Sequence, residues 1–225
     1  MAIIHFSDKL IEKHPEIFDN VQNRLIDTIL AYCIDWRTWK VATLKNWIKE
    51  QIDDPSSLLQ EIAADKITTY KDPDQQALAV LKWVNFNISY TSDDKQYKIG
   101  EYWATANETL RSKEGDCEDG AILIYVLCRL KGIPANRLWI MAGDVQGGGH
   151  SWVAYKPKNY PLNPVFLDWC YWYNGATVAN RSLFTIVNKD IIEHSGPKTI
   201  ILSNYFKIWF AFNEDKSYTK IIPRK

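Results

Sequence analysis

The apolar residues of this chain change their spacing part-way along it. Up to about residue 131 they recur every three or four positions, which places side chains on one face of an α-helix. From about residue 137 onward, short segments alternate between apolar and polar residues, as β-strands with one buried face do. Helices first and strands later predict an α+β fold with an antiparallel sheet.

The first part of the chain is predicted to be helical, from about residue 15 to residue 66. Its apolar stripe begins with residues at i, i+4 spacing and then continues through several tryptophans; the first members are Ile17, Val21, Leu25, Ile29 and Tyr32. The pattern breaks at residues 54–57. We therefore assign residues 1–68 to a helical N-terminal extension or cap, and residues 69–225 to a second domain.

The most informative segment is residues 113–131, which read KEGDCEDGAILIYVLCRLK. Asp116 is a suitable N-cap residue, which puts Cys117 at the first helical position. The following residues are apolar on nearly every face, as in a helix that is buried on all sides. Gly132 can adopt the left-handed conformation that ends a helix. The sequence therefore predicts a central buried helix with a thiol at its N-terminus.

A thiol in this position has a particular chemistry. The unpaired N–H groups and the helix dipole favour the thiolate, which is the form that attacks carbonyl groups. Cysteines are more commonly small apolar core residues, and Cys33 and Cys128 fit that description. Cys117 differs because polar residues and glycines surround it, as at an exposed helix start.

Strands are predicted after this helix, at residues 137–142, 150–156 and 165–170, with a hairpin over residues 205–222. His150 follows three glycines and starts the second strand, which holds the imidazole on a rigid element. Asp168 is a lone carboxylate in the apolar third strand, and a buried aspartate needs a partner. Antiparallel strands can place Asp168 beside His150, so we expect a base and its orienting group for Cys117.

Composition and motifs narrow the class of protein. The formal net charge is zero and no block of like charges stands out, which argues against nucleic acid or a membrane as the main partner. Residues 1–13 show no signal pattern, so we expect a cytoplasmic location, with a removed export signal left open. The cysteines lack paired metal spacing, and a metal site using Cys117 and His150 lacks further ligands at plausible spacing.

The segments YWATANETLRSKEGDCEDGA, GGHSWV and FLD, in this order, resemble the transglutaminase-like superfamily. Within it, the chain is most similar to the bacterial transglutaminase-like cysteine proteinases. The resemblance covers roughly residues 72–168, and the sequence departs from the family pattern at Ala106, where proline is usual. It implies a papain-like core in which a cysteine-bearing helix packs on an antiparallel sheet. It makes Cys117 the nucleophile, His150 the base and Asp168 the orienting group.

The same resemblance implies a candidate metal site. Some bacterial members bind calcium through acidic residues that flank the nucleophile, and Asp116, Glu118 and Asp119 match by position. Helix capping and the helix dipole also explain carboxylates in a first turn. A calcium site needs six or more oxygen ligands, and these residues supply only part of such a set. The expected chemistry itself requires no cofactor.

Several tryptophans are further candidates. In transglutaminases a tryptophan N–H assists the backbone N–H of the nucleophile in binding the oxyanion, and Trp103 is the candidate here. Trp152 and Trp169 flank the predicted base and orienting group, and we expect them to wall the cleft. A plain core position is the alternative for Trp103.

We expect residues 69–225 to form a transglutaminase-like catalytic domain that transfers acyl groups from amide bonds of a protein or peptide through a thioester. With water as the acceptor it is a peptidase or amidase, which the bacterial resemblance favours. The alternatives are a protein-glutamine transglutaminase or deamidase, and a non-catalytic protein-binding module on the same fold. The oligomeric state is left open.

Overall fold

The computed structural model describes residues 5–6, 33–145, 148–158, 165–170 and 205–219. Helices dominate up to residue 137 and strands dominate after it, as the change in apolar spacing predicts. The helical elements are α1 (Cys33–Asp53), α2 (Ser57–Glu61), a π-helical turn (Ile62–Lys66), α3 (Pro73–Asn87), α4 (Asp93–Gln96), α5 (Ala106–Ser112), α6 (Cys117–Leu130) and a 3-10 turn (Ala135–Arg137). The predicted apolar stripe from Ile17 to Tyr32 lies outside the described residues.

Local signals in the sequence set the helix ends. The Asp72 side chain caps α3 by accepting from the Asp74 N–H at 3.0 Å, and Pro73 takes the first helical position. Asp116 is the N-cap of α6, so Cys117 begins that helix as predicted. Gly132 follows the helix with a φ of 84°, the left-handed conformation expected of it.

The strands are β1 (His5–Phe6), β2 (Ser89–Tyr90), β3 (Tyr102–Trp103), β4 (Glu114–Gly115), β5 (Leu138–Val145), β6 (Gly148–Tyr155), β7 (Val165–Leu167), β8 (Tyr205–Phe212) and β9 (Ser217–Thr219). The last five form one sheet in the order β7-β6-β5-β8-β9, with every pairing antiparallel. Short parallel pairs join β1 to β3 and β2 to β4. The predicted α+β class is confirmed.

The strand boundaries differ from the predicted ones around the candidate residues. The glycines before His150 belong to the sheet, because β6 begins at Gly148 and pairs with β5 from there. His150 is therefore inside β6 rather than at its start. Asp168 follows β7 rather than lying within it, since that strand ends at Leu167.

Helix α6 is the centre of the core. Its residues from Glu118 to Cys128 are all buried, and it contacts α1, α3 and α5 as well as β5 and β6. Trp47 and Ile48 of α1 belong to the same apolar cluster. The predicted buried helix is thus confirmed, while the division at residue 68 stays a prediction. Every described helix is too short or too polar to cross a lipid bilayer.

A partly buried ion pair connects the C-terminal half of α6 to the turn between β8 and β9. Arg129 donates from Nε and Nη2 to Glu214 Oε1, at 2.9 and 2.6 Å. Tyr125 donates its hydroxyl to Glu214 Oε2 at 2.7 Å. Both charged side chains are largely shielded from solvent, with 20% and 11% exposure. Glu214 therefore fixes the far end of the sheet to the central helix.

We expect Glu214→Ala to lower the free energy of unfolding by about 2–4 kcal/mol, because it leaves the Arg129 guanidinium shielded and without its carboxylate. Chemical denaturation of the variant and the parent measures the difference. Asp215→Ala is the matched control, since Asp215 is exposed in the same turn and is expected to change stability by no more than about 0.5 kcal/mol. Equal effects of the two substitutions would contradict this assignment.

Candidate active site

His150 and Asp168 form a buried pair at one edge of the sheet. His150 Nε2 lies 2.6 Å from Asp168 Oδ2, and the two residues are 7% and 2% exposed. The second carboxylate oxygen, Asp168 Oδ1, accepts from the Cys170 N–H at 3.1 Å. Trp152 stacks almost parallel to the imidazole, with ring centroids 5.9 Å apart. The imidazole is therefore held by a carboxylate and by an aromatic ring.

Cys117 lies beside this pair, at the first position of α6. Its Sγ donates to Glu118 Oε2 at 3.1 Å, and a hydrogen bond with the backbone of Ser151 ties it to the residue after His150. Burial raises the pKa of the Cys117 thiol well above its ordinary value, and the Asp116 carboxylate raises it further. The two hydrogen bonds act in the opposite direction. Because carboxylates crowd this helix start, its electrostatics are less favourable to a thiolate than the dipole alone predicts.

Gly120 and Trp169 connect the Cys117 helix to the residue after Asp168. A Cβ placed on Gly120 would lie 1.8 Å from Trp169 Nε1, far inside van der Waals contact. The indole therefore packs directly on the helix backbone, and Nε1 has no hydrogen-bond partner among the described residues. Trp169 itself is buried, and its ring centroid lies 5.9 Å from that of Tyr90, which is 60% exposed. This contact sets the position of the Asp168 segment relative to the Cys117 helix.

Carboxylates gather on the other side of the α6 N-terminus. Their oxygens lie within 4.8 Å of one another in two overlapping groups that share Asp93; the members are Asp93, Glu101 and Glu118, and Asp93, Asp116 and Asp119. Asp93, Glu118 and Asp119 are almost fully buried. Oxygens of Asp93, Asp116 and Glu118 have no hydrogen-bond partner among the described residues. Buried oxygens that share one small space and lack donors are suited to a hard cation.

The pKa values of these carboxyl groups reflect their crowding. Burial raises the pKa of Asp93 to about 7, and the charge of Asp116 adds to the effect. Burial likewise raises the pKa values of Asp116, Glu118 and Asp119, with neighbouring acidic groups adding to the rise for Glu118 and Asp119. Asp119 also accepts from the Ala104 N–H at 2.8 Å, so it positions the backbone as well. The cluster is therefore costly to ionise without a compensating positive charge.

Comparison with known proteins identifies the class of this site. The family model of the transglutaminase-like superfamily matches residues 60–162. This region belongs to the transglutaminase-like superfamily. The predicted superfamily is thereby confirmed, and it includes cysteine proteases and acyltransferases. None of the curated proteins compared with the chain matches it.

Solved structures similar to the chain include three of Legionella pneumophila LapG. The first is 19% identical with a TM-score of 0.48, and the match covers 78% of this chain and 87% of LapG. The EGTA-treated form is 19% identical with a TM-score of 0.48, covering 78% and 84%. The calcium-bound form is 18% identical with a TM-score of 0.46, covering 78% and 87%.

The predicted tryptophans of this site occupy different environments. Trp103 donates its indole N–H to Glu101 Oε1 at 3.0 Å, and its ring packs near Phe210 and Phe212. In this structure the Trp103 N–H therefore points to a carboxylate and not to the Cys117 sulfur. The oxyanion role of Trp103 stays a prediction. Trp152 is only 1% exposed, and its ring packs against the imidazole of His150. The cleft-wall role of Trp152 and Trp169 also stays a prediction.

The sequence did not point to three residues that the structure places at the transglutaminase-like site. Asp93 begins the short helix α4 and Glu101 directly precedes β3, in a polar region where acidic residues are usually solvated, so no periodic signal marks them. Cys170 carried a usable signal. It is two positions after Asp168, and alternate residues of an extended segment share one face.

We expect Gly120→Ala to destabilise the domain and to displace Trp169, because the added methyl group would occupy the space of the indole. Thermal melting and near-UV circular dichroism of the tryptophans report the two effects. Gly100→Ala is the matched control, since no atom lies within 4 Å of a Cβ there. A Gly120→Ala protein with the parent's melting temperature and tryptophan spectrum would refute the proposed packing.

Proposed function

We propose that this chain is a cysteine peptidase or amidase that cleaves amide bonds of protein or peptide substrates through a thioester on Cys117. The observation that carries the proposal is the buried 2.6 Å contact between His150 and Asp168 beside the Cys117 segment. Helix α6 supplies the thiol, and the adjacent strand β6 supplies the imidazole. Membership of residues 60–162 in the transglutaminase-like superfamily supports the same chemistry.

In the proposed reaction His150 is the base and Asp168 orients it. Because Nε2 contacts Asp168, exchange of a proton with the thiol uses Nδ1. Cys117 Sγ loses its proton to His150 and forms a bond to the carbonyl carbon of the substrate. The buried Asp168 carboxylate stabilises the imidazolium that results.

The tetrahedral intermediate then collapses to products. Its oxyanion is stabilised at the N-terminus of α6, where the backbone N–H of Cys117 is unpaired within the helix. His150 returns its proton to the leaving amine as the C–N bond breaks, which leaves a thioester on Cys117. Water, deprotonated by His150, attacks the thioester and releases the acid and the free thiol. Attack by an amine in place of water would make the same enzyme a transglutaminase.

The carboxylate cluster is the proposed calcium site. Asp93, Glu101, Asp116, Glu118 and Asp119 offer the oxygen ligands that calcium requires, and several of these oxygens lack hydrogen-bond donors among the described residues. Bound calcium would supply positive charge beside the Cys117 helix. The residues themselves hold the helix start in place, as the contact from the Ala104 N–H to Asp119 illustrates.

The thiol chemistry is tested by iodoacetamide alkylation across pH in calcium-containing buffer. We expect Cys117 of the parent protein to react well below the ordinary thiol pKa of about 8.5, because the imidazolium of His150 stabilises the thiolate. In His150→Ala the rate at pH 6.5 should fall roughly tenfold or more. Peptide mapping separates Cys117 from Cys170, and the buried Cys128 should stay unreactive in both proteins.

Cleavage of unfolded protein substrates provides the second arm of this test. Cys117→Ala and His150→Ala should each abolish release of new N-termini while remaining folded at the assay temperature, which circular dichroism checks. Cys128→Ala, which alters a buried thiol away from the site, should retain cleavage. Full cleavage by Cys117→Ala would refute the nucleophile assignment. An ordinary thiol pH profile in both proteins would instead favour a binding module.

The cluster is tested by the pH dependence of stability. The pKa of Asp93 is raised from 3.8 to about 7 in the folded state. The folded protein therefore binds this proton more tightly than the unfolded chain. The resulting stabilisation is complete below about pH 4 and is lost as pH rises through 7. In EGTA the parent should thus melt at a lower temperature at pH 8 than at pH 5, and Asp93→Asn should melt higher than the parent at pH 8.

Calcium should reverse the order at pH 8. At about 100 times its Kd it stabilises the parent by about 2.7 kcal/mol, whereas Asp93→Asn, which lacks a ligand carboxylate, should gain much less. Asp94→Asn is the control, because Asp94 is the exposed neighbour of Asp93 and should behave like the parent. Equal stabilisation of the parent and Asp93→Asn by calcium would remove Asp93 from the site.

A further inference from the structure

A second group of possible metal ligands lies on the sheet side of the site. A ring nitrogen of His150, a carboxylate oxygen of Asp168 and the Sγ of Cys170 all lie within 4.8 Å of one another. The proposed reaction uses the histidine and the aspartate but gives no role to Cys170. Cys170 is half-buried.

The pairing of β6 with β7 explains why these side chains meet. The register pairs Val153 with Leu167. Asp168 and Cys170 follow directly after this pairing ends, next to the strand that carries His150. The Cys170 N–H also donates to Asp168 Oδ1, which draws the turn after β7 towards the pair. The sheet therefore presents nitrogen, oxygen and sulfur donors together.

The donor types discriminate between cations. Calcium and magnesium take oxygen ligands, whereas Zn²⁺ accepts imidazole, thiolate and carboxylate in one tetrahedral site. Tetrahedral ligands at ordinary zinc distances lie roughly 3.3–3.7 Å apart. The three donors lie within 4.8 Å of one another in the absence of an ion, and the 2.6 Å contact between His150 Nε2 and Asp168 Oδ2 has to open by roughly 0.7 Å to admit the cation.

We propose that His150, Asp168 and Cys170 bind a thiophilic divalent cation such as Zn²⁺, with water at the fourth position. The surrounding field favours such an ion, because the carboxylates of Asp116, Glu118 and Asp119 act electrostatically on Cys170. This site is separate from the carboxylate cluster, which offers only oxygen donors apart from the Cys117 thiol.

Occupancy has a consequence that rests on the proposed function. A cation bound to His150 and Asp168 occupies the base and its orienting group, so it prevents proton transfer from Cys117. The two cation sites therefore act in opposite directions: a hard cation in the carboxylate cluster supports the helix start, and a soft cation on the sheet side inhibits the reaction.

Titration of the chain with Co²⁺ in calcium-containing buffer tests the binding. Cobalt replaces zinc in such sites, and thiolate ligation gives an intense near-ultraviolet charge-transfer absorption. We expect this band to saturate at one Co²⁺ per chain, to disappear on addition of Zn²⁺ and to persist in excess calcium. In Cys170→Ser the band should be lost, while Cys33→Ser, Cys128→Ala and Asp93→Asn should retain it.

Asp168→Asn provides a second variant, in which the band should persist with at least tenfold weaker Co²⁺ affinity because one ligand is lost. Melting curves establish that each variant is folded. A parent protein without the band, or a Cys170→Ser protein with the parent's band and affinity, would overturn the proposal. Because absorption does not depend on turnover, an inactive parent that shows the band would refute the enzyme and leave the metal site standing.

Zinc inhibition tests the consequence for catalysis. With protein cleavage measured relative to each variant's own rate without zinc, we expect Zn²⁺ to inhibit the parent and to lose at least tenfold in potency on Cys170→Ser. Inhibition of equal potency in both proteins would place the inhibitory zinc elsewhere. If the parent shows the cobalt band but its cleavage activity is not inhibited by Zn²⁺, the metal site stands and the inhibitory role is refuted.

Discussion

The burial of helix α6 is the constraint on which this site depends. From Glu118 to Cys128 the helix is surrounded by other helices and by the sheet, so its N-terminus is fixed where the core ends. Polar groups at such a helix start are removed from bulk water and must find partners within the protein. Cys117 finds them in Glu118 and in the backbone next to His150, while the Asp93 side of the helix start holds the remaining carboxylates.

Much of the core could be predicted because its signals are local or periodic. Helix α6 carries an N-cap, a continuous apolar run and a terminal glycine, and each of these features has its predicted role. The pairing of His150 with Asp168 was also predictable. A lone carboxylate in an apolar segment needs a buried partner, and antiparallel strands bring the two segments together. Such inferences succeed because a buried polar side chain finds its hydrogen-bond partner on a neighbouring strand of the same sheet.

The remaining parts of the site depend on contacts that carry no local signal. Asp93 and Glu101 join the acidic cluster from the segment between β2 and β3, whose path is set by tertiary packing. From the sequence, Gly120 is interpreted as one of the small residues at an exposed helix start. In the structure its role is to leave room for the Trp169 indole. The ten tryptophans of the chain are indistinguishable by sequence alone, which is why Trp103 could be proposed for the oxyanion although its N–H contacts Glu101.

The distribution of charge links the two sides of the site. The carboxylates around the α6 N-terminus disfavour a thiolate on Cys117, since they add negative charge to a buried sulfur. His150 acts on the same carboxylates, because it lowers the pKa of Asp116 electrostatically. A thiolate–imidazolium pair is neutral as a whole, yet these carboxylates stabilise its imidazolium and destabilise its thiolate. Positive charge in the acidic cluster would therefore help the sulfur in particular, whereas positive charge bound at His150 would remove the base that the sulfur needs. The position of a cation, more than its charge, decides whether this arrangement favours or prevents nucleophilic chemistry.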